Sequence, residues 1–199
     1  MKRFLHVGCG SNTKNQTTKG FQKNCWQEVR FDIDESVNPD VVGSITDMTC
    51  FDSSSYDAIF SSHNIEHLHA HEVAIALSEF FRVVNKDGFV VMTCPDLQSV
   101  CQLVADNKLT DTAYISPAGP ITPLDILYGH RRSIASGNLY MAHKCGFTAK
   151  VLTASLAATG FQTVALKRRP NHFDLWAVAT KTKKNGAISE ELCKEHFPS

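Results

Sequence analysis

No stretch of this chain is apolar over the ~18 residues that a bilayer-spanning helix needs. Its opening, MKRFLHVGCG, carries two basic residues but no apolar core of secretory-signal length. An excess of one charge is also missing. Lysine plus arginine number 20, aspartate plus glutamate 20, and the formal net charge is +0, which argues against a general nucleic-acid binder. The seven cysteines (9, 25, 50, 94, 101, 145, 193) are scattered and odd in number, and none forms a C-x-x-C pair. Neither a disulfide framework nor a cysteine zinc site is therefore indicated. There is no internal repeat or low-complexity linker, and 43% apolar content is too ordinary for a disordered chain. The expected setting is a reducing cytoplasm with no nucleic-acid or membrane partner, and a homodimer is left open. At ~150 residues per domain the 199 residues make one domain, able to bury ~70% of its unfolded surface.

Apolar periodicity orders what is there. Phe4 to Val7 is a buried strand breaking into Gly8-Cys9-Gly10. Val29 to Ile33, Asp40 to Val42 and Tyr56 to Ser61 read as further strands, with only weakly helical residues between 12 and 24. From Glu72 to Val84 apolar residues recur at Val73, Ala76, Leu77, Phe80, Phe81 and Val84, one buried helical face. After the turn Lys86-Asp87-Gly88, Phe89 to Thr93 has the continuous β-rich character of a central parallel strand. Leu97 to Ala105 and Ala149 to Thr159 read as helices, the second ending at Gly160. Gln162 to Leu166 and Phe173 to Thr180 close the sheet as an antiparallel edge hairpin. Between the two helices, Pro117, Gly119, Pro120, Pro123, Gly129 and Gly137 predict irregular structure of the lid or binding-loop kind. Residues 181–199 read as a polar tail, loose at its end. Strands alternating with helices make an α/β domain with a mostly parallel sheet.

Three features fall at strand ends, where open α/β sheets bind ligands. Val7-Gly8-Cys9-Gly10-Ser11-Asn12 lets a ligand approach the backbone closely, but it lacks the third glycine of the G-x-G-x-x-G fingerprint, which disfavours NAD. Asp32 and Asp34, ~20 residues on, have the offset at which a carboxylate takes up ribose hydroxyls. They also share strand parity, so both face one side. Tyr56 to Leu68 (YDAIFSSHNIEHL) runs from a strand into a polar loop.

With FFRVVNKDGFVVMTCPD (80–96) and a late L-x-x-x-G-F (156–161), these segments resemble the class I S-adenosylmethionine-dependent methyltransferases of the type 11-like group, from residue 4 to 180. The resemblance implies a Rossmann-like, seven-stranded, mostly parallel sheet with an antiparallel edge hairpin. It also implies S-adenosylmethionine as cofactor and S-adenosylhomocysteine as product. Val7, Gly8, Cys9 and Gly10 correspond to the loop against the methionine moiety, with Asn12 where a third glycine is often seen. Asp32 corresponds to the ribose ligand, Ile33 and Asp34 to its neighbours. The acid near the adenine amino group is assigned to Asp47, beside Ile45 and Thr46, because Gly43-Ser44 stands where relatives have a Gly-Asp pair. Ser62 and His63 correspond to the loop beneath the sulfonium. The segment between the second and third strands is too short for the usual crossover helix, so a reduced helix set is expected.

Residues 1–180 thus read as one methyltransferase domain with 96–147 as the substrate insert. The acceptor is expected to be a small or sugar-like molecule, methylated on O or N. His63, His130 and His143 are the candidate general bases. Asp96, His130 and Arg131 are the candidate substrate ligands, Arg131 as an anion clamp. The alternative is an inactive binding module of the same fold. His63-Asn64-Ile65-Glu66-His67 also satisfies H-x-x-E-H, a zinc-hydrolase motif. Its first histidine falls in a loop and no third ligand has a recognisable spacing, so no metal is expected. His67 is read as structural, and His69 and His71 as solvated.

Overall fold

A computed structural model describes residues 1–198. Its parallel strands are β1 (Lys2–Val7), β2 (Trp26–Asp32), β3 (Val41–Val42), β4 (Tyr56–Ser62) and β5 (Val84–Pro95). The sheet closes with β8 (Thr163–Arg169) and β9 (Asp174–Thr180). The strand order is β3-β2-β1-β4-β5-β9-β8, with β9 antiparallel to both neighbours. The expected antiparallel edge hairpin is therefore present. Residues 85–88 loop out of the ladder, since Tyr56 pairs with Val84 and Ala58 with Phe89. They include the turn residues Lys86-Asp87-Gly88.

Strand residues alternate between two apolar layers. Leu5, Val7, Ile59, Val90 and Met92 face α2 (Val73–Val83) and α6 (Ala149–Thr159). The helix α2 buries Val73, Ala76, Leu77, Phe80 and Val83, largely the face its periodicity predicts. Between β2 and β3 there is only a 3-10 turn, Glu35–Val37. The strands pair over two residues (Phe31 with Val41, Asp32 with Val42), so a short loop suffices.

The other layer holds Phe4, Phe60, Phe89 and Val91. Its cover is thin. One piece is α1 (Lys19–Gln22), which contributes Phe21, with the Phe21 ring stacked 4.4 Å from Phe4. The other is α7 (Gly186–His196), in the segment expected to be a loose tail. The physical reason is the reduced helix set, which leaves Phe21 and Phe89 in need of a partner. Asn185 caps α7 by accepting from the Ile188 N–H at 2.9 Å. His196, buried, has Nδ1 2.7 Å from Thr18 Oγ1 and its ring centroid 4.4 Å from that of Phe21.

Burial lowers the pKa of His196 to about 4. The folded ring stays neutral where the unfolded one takes up a proton, below its ordinary value of ~6.5. Stability from this group is present above that value and is lost as pH falls toward 4. Going from about pH 7.5 to about pH 5 should cost about 2 kcal/mol through His196 alone. Thermal unfolding of His196→Phe, which keeps a ring against Phe21 and Phe89, should show a correspondingly shallower acid slope than the wild type.

Candidate functional site

From β1 the chain crosses to β2 on one side, while β4 lies on the other. This leaves a crevice at the carboxyl ends of the strands. Gly8, at φ +60°, turns the chain along its rim, and its N–H donates to the Phe31 carbonyl at 2.8 Å. A Cβ on Gly8 would overlap the Asn64 side chain, so only glycine combines this conformation with this approach. At the end of β2, Asp32 Oδ2 accepts from the Gly10 N–H at 2.7 Å and Oδ1 from the Asp34 N–H at 2.9 Å. The carboxylate thereby ties the glycine loop to its own strand. Above lies a cavity of about 330 Å³ lined by Gly8, Gly10, Asp32, Ile33 and Asp34 on one side and Tyr140 and Met141 on the other.

Several sequence-predicted residues take supporting positions instead. Val7 and Cys9 are buried beneath the loop and do not line the cavity. Burial pushes the Cys9 thiol up to about 11. Ile45 and Thr46 line the cavity, but Asp47 does not. Its carboxylate turns to the Thr49 hydroxyl and N–H (2.8 and 3.2 Å), which lower its pKa. Ser62 is likewise engaged below, with Thr93 at 3.0 Å. Asp34 caps the following turn through the Ser36 N–H at 2.9 Å, and hydrogen bonding to Ser36 lowers its pKa. Asn64, Leu68, Glu72, Tyr140, Met141 and Lys144 also line the cavity and went unpredicted. Asn64, Leu68 and Glu72 follow the β4 loop, and the other three belong to the insert.

The insert is more regular than its prolines and glycines suggest. After α3 (Leu97–Ala105) come a hairpin, β6 (Tyr114–Ser116) with β7 (Gly119–Ile121), and the helices α4 (Pro123–Tyr128) and α5 (Arg131–Ala135). Pro123 occupies the first turn of α4, where its missing N–H costs nothing. Thr122 and Asp125 form a reciprocal capping box there. This architecture encloses a second cavity of about 740 Å³, into which His63, Glu66, His67, Asp125, His130 and His143 project.

Asp96 lies outside it. The Asp96 side chain is fully buried, caps α3, and accepts from Ser99 Oγ and Arg168 Nε, each at 2.5 Å. The expectation that it faces the substrate mouth fails because Arg168 on β8 claims it. Arg131 is also committed, donating from Nε to Asp125 Oδ1 at 2.8 Å. Burial opposes the charge on Asp125, but hydrogen bonds from Arg131 and Thr122 hold its carboxyl well below the usual range. His130 does line the cavity, with Nδ1 2.8 Å from Ser133 Oγ.

The two cavities meet at His63 and His67, which line both. His63 follows β4 at φ +48°, half-exposed, with Nδ1 3.3 Å from Glu66 Oε1. Desolvation works against its cationic form, but the hydrogen bond and charge of Glu66 prevail and raise its pKa. Glu66, on the 3-10 turn Ile65–His67, is 1% exposed. Burial penalises its charge, yet His63, His67 and His143 together lower its pKa. Burial lowers that of His143. His67, read as structural, proves to be a shared wall of both cavities.

The family described as a methyltransferase domain matches residues 5–92. No curated protein sequence matches the chain. Among solved structures, the chain is similar to a Pyrococcus horikoshii protein (TM-score 0.62, 15% identity, 89% of this chain and 81% of that one). It is also similar to a Methanosarcina mazei SAM-dependent methyltransferase (0.59, 16%, 92% and 93%). A third match is the Burkholderia thailandensis 1,6-didemethyltoxoflavin-N1-methyltransferase (0.57, 13%, 91% and 71%), solved with bound 1,6-didemethyltoxoflavin and S-adenosylhomocysteine. The chain spans 47% of the matched citrinin polyketide synthase CMeT structure. The methyltransferase-domain match covers residues 5–92, the part of the chain that carries the glycine-and-aspartate crevice at the switch point, and the solved structures share the fold around it.

Proposed function

We propose that the protein moves a methyl group to an oxygen or nitrogen of a small or sugar-like acceptor. The cofactor would be held in the 330 Å³ cavity and the acceptor in the 740 Å³ cavity. The observation that carries this reading is the meeting of the two cavities at His63 and His67. The residues of the smaller cavity suit the cofactor. Each carboxylate oxygen of Asp32 accepts one backbone N–H and keeps a lone pair for a ribose hydroxyl. Asp32, Asp34 and Glu72, set against Lys144, favour a ligand that carries positive charge. Ile45 and Leu68 offer apolar surface for a flat ring.

When bound, S-adenosylmethionine supplies a methyl group already activated on a sulfonium. The protein must then align the acceptor and exclude water, a proximity effect worth up to ~7–11 kcal/mol. Tyr140 and Met141 from the insert cover the smaller cavity, and Met141 also lines the larger one. His63, at the junction, is the side chain best placed to take a proton from the acceptor. His130 is placed to orient it from the far wall.

Calorimetry should detect micromolar binding of S-adenosylhomocysteine, at least about tenfold weaker in Asp32→Ala. Loss of a hydrogen bond to a charged group is worth about 1.5–3 kcal/mol. No heat with folded wild-type protein would end this reading. Gly8→Ala combines a left-handed backbone with the overlap on Asn64. It should lose measurable cofactor binding and about 1–3 kcal/mol of stability, read as a lower Tm. Turnover across a panel of small hydroxyl and amine acceptors then tests the transfer. His130→Ala should raise the acceptor KM and leave S-adenosylhomocysteine affinity unchanged. Cofactor binding with no turnover on any acceptor would favour an inactive binding module.

A further inference from the structure

On the wall of the larger cavity, two imidazoles converge on a carboxylate that His63 approaches from the other side. His67 Nδ1 lies 3.1 Å from the Ala142 carbonyl oxygen, and His143 Nδ1 lies 2.7 Å from that of Ile126. A carbonyl only accepts, so each Nδ1 carries the hydrogen and each Nε2 of the neutral ring presents a lone pair. Glu66, 1% exposed, makes no hydrogen bond of good geometry at either oxygen among the described residues, and its nearest partner, His63 Nδ1, stands 3.3 Å from Oε1. One donor atom from each of Glu66, His67 and His143 lies within 4.8 Å of the other two. His63 answers one oxygen of Glu66 from outside the cluster; the remaining carboxylate oxygen and the two imidazole lone pairs lie close together, an arrangement that a cation among them would stabilise.

We propose that Glu66, His67 and His143 bind a divalent transition-metal ion, zinc foremost, with its open coordination position facing the acceptor cavity. Two histidines and one glutamate form a donor set of catalytic zinc sites, in which the fourth position is left to water or substrate. The two imidazole nitrogens disfavour magnesium and calcium, which take oxygen ligands. A ligating histidine characteristically donates its other N–H to a carboxylate or backbone carbonyl, and both histidines do so here.

The site is held from both sides. Glu66 and His67 share the 3-10 turn after β4, while the Lys144 and Cys145 N–H groups donate to the Glu66 carbonyl at 2.9 and 3.2 Å. Gly129 and Ala142 are bridged, and a Cβ on Gly129 would collide with the Met141 carbonyl oxygen. Around a tetrahedral ion with ligands at about 2.0–2.1 Å, the donor atoms would draw in to roughly 3.3 Å of one another.

His63 stays outside the donor set, and this sets the chemical consequence, which rests on the methyltransferase reading above. An acceptor hydroxyl on the open position is acidified by the ion and gives its proton to His63. The oxygen's electron pair forms the new O–CH₃ bond. The S–CH₃ bond breaks with its pair left on sulfur, giving a neutral thioether.

The test is metal binding itself, on untagged full-length protein stripped with a chelator and titrated with zinc(II) and cobalt(II). One equivalent per chain should bind, with the visible absorption of low-coordinate cobalt. Affinity should fall at least about a hundredfold in Glu66→Gln and in His143→Gln, since even outer-shell changes cost about 10–100-fold. His71→Gln, in the exposed pair whose rings stack at 5.7 Å with His69, should bind as the wild type does. Zinc should raise the Tm of wild type and of His71→Gln and leave both site variants unmoved, which covers a variant of altered stability. No stoichiometric metal in folded wild type, or binding unaffected by both site variants, overturns the proposal. S-adenosylhomocysteine calorimetry on the stripped protein keeps the two readings apart, because either can fail while the other stands.

Discussion

The Glu66 carbonyl oxygen receives two N–H groups from the far end of the insert, those of Lys144 and Cys145. That pair of bonds pins a segment 78 residues downstream of Glu66 onto the turn after β4. Met141 is thereby brought to the wall of both cavities and Tyr140 over the smaller one. The same contact sets His143 beside Glu66. Without it the crevice at the carboxyl ends of the strands would lie open to water on the side of the larger cavity. A buried backbone acceptor that serves two donors is hard to replace piecemeal, so the seam behaves as one unit.

The sheet was legible because its signals are local. Alternation in the strands, the glycine turn after β1, the acid at the end of β2 and the apolar face of α2 all act within a few residues. Contacts made over long sequence distances were not legible. Nothing near Asp96 announces that Arg168 will claim its carboxylate from β8, 72 residues on. His143 carries no spacing cue, because its relation to Glu66 and His67 exists only once the insert has folded back. The hairpin and the two helices of the insert left clearer traces. Pro123 after Thr122, with Asp125 three residues beyond the cap, is a helix start that the surrounding breakers obscured.

The second face of the sheet shows a different economy. A sheet this wide normally has helices on both sides, and here one side relies on a single turn of helix and a C-terminal segment. Four aromatic rings, Phe4, Phe21, Trp26 and Phe89, pack edge-on and stacked, each within 4.4–6.1 Å of two or more of the others. Large rings bury much area per residue at little conformational cost, so they substitute for missing backbone. The dependence on α7 follows directly. Its low mean hydropathy left it unrecognised, yet His196 and the partly buried Leu192 and Phe197 complete that layer.

At the base of the insert, Asp96 and Phe147 form a bridge, and the Leu97 N–H donates to the Phe147 carbonyl at 2.9 Å. The segment therefore leaves the sheet and returns to it at one point. The entropy of closing a loop rises only slowly with its length, and here the neck stays the same whatever lies beyond it. The segment beyond it can be lengthened, shortened or replaced without disturbing the pairing of the strands below. A change of length beyond the neck therefore leaves the glycine turn and Asp32 where they are.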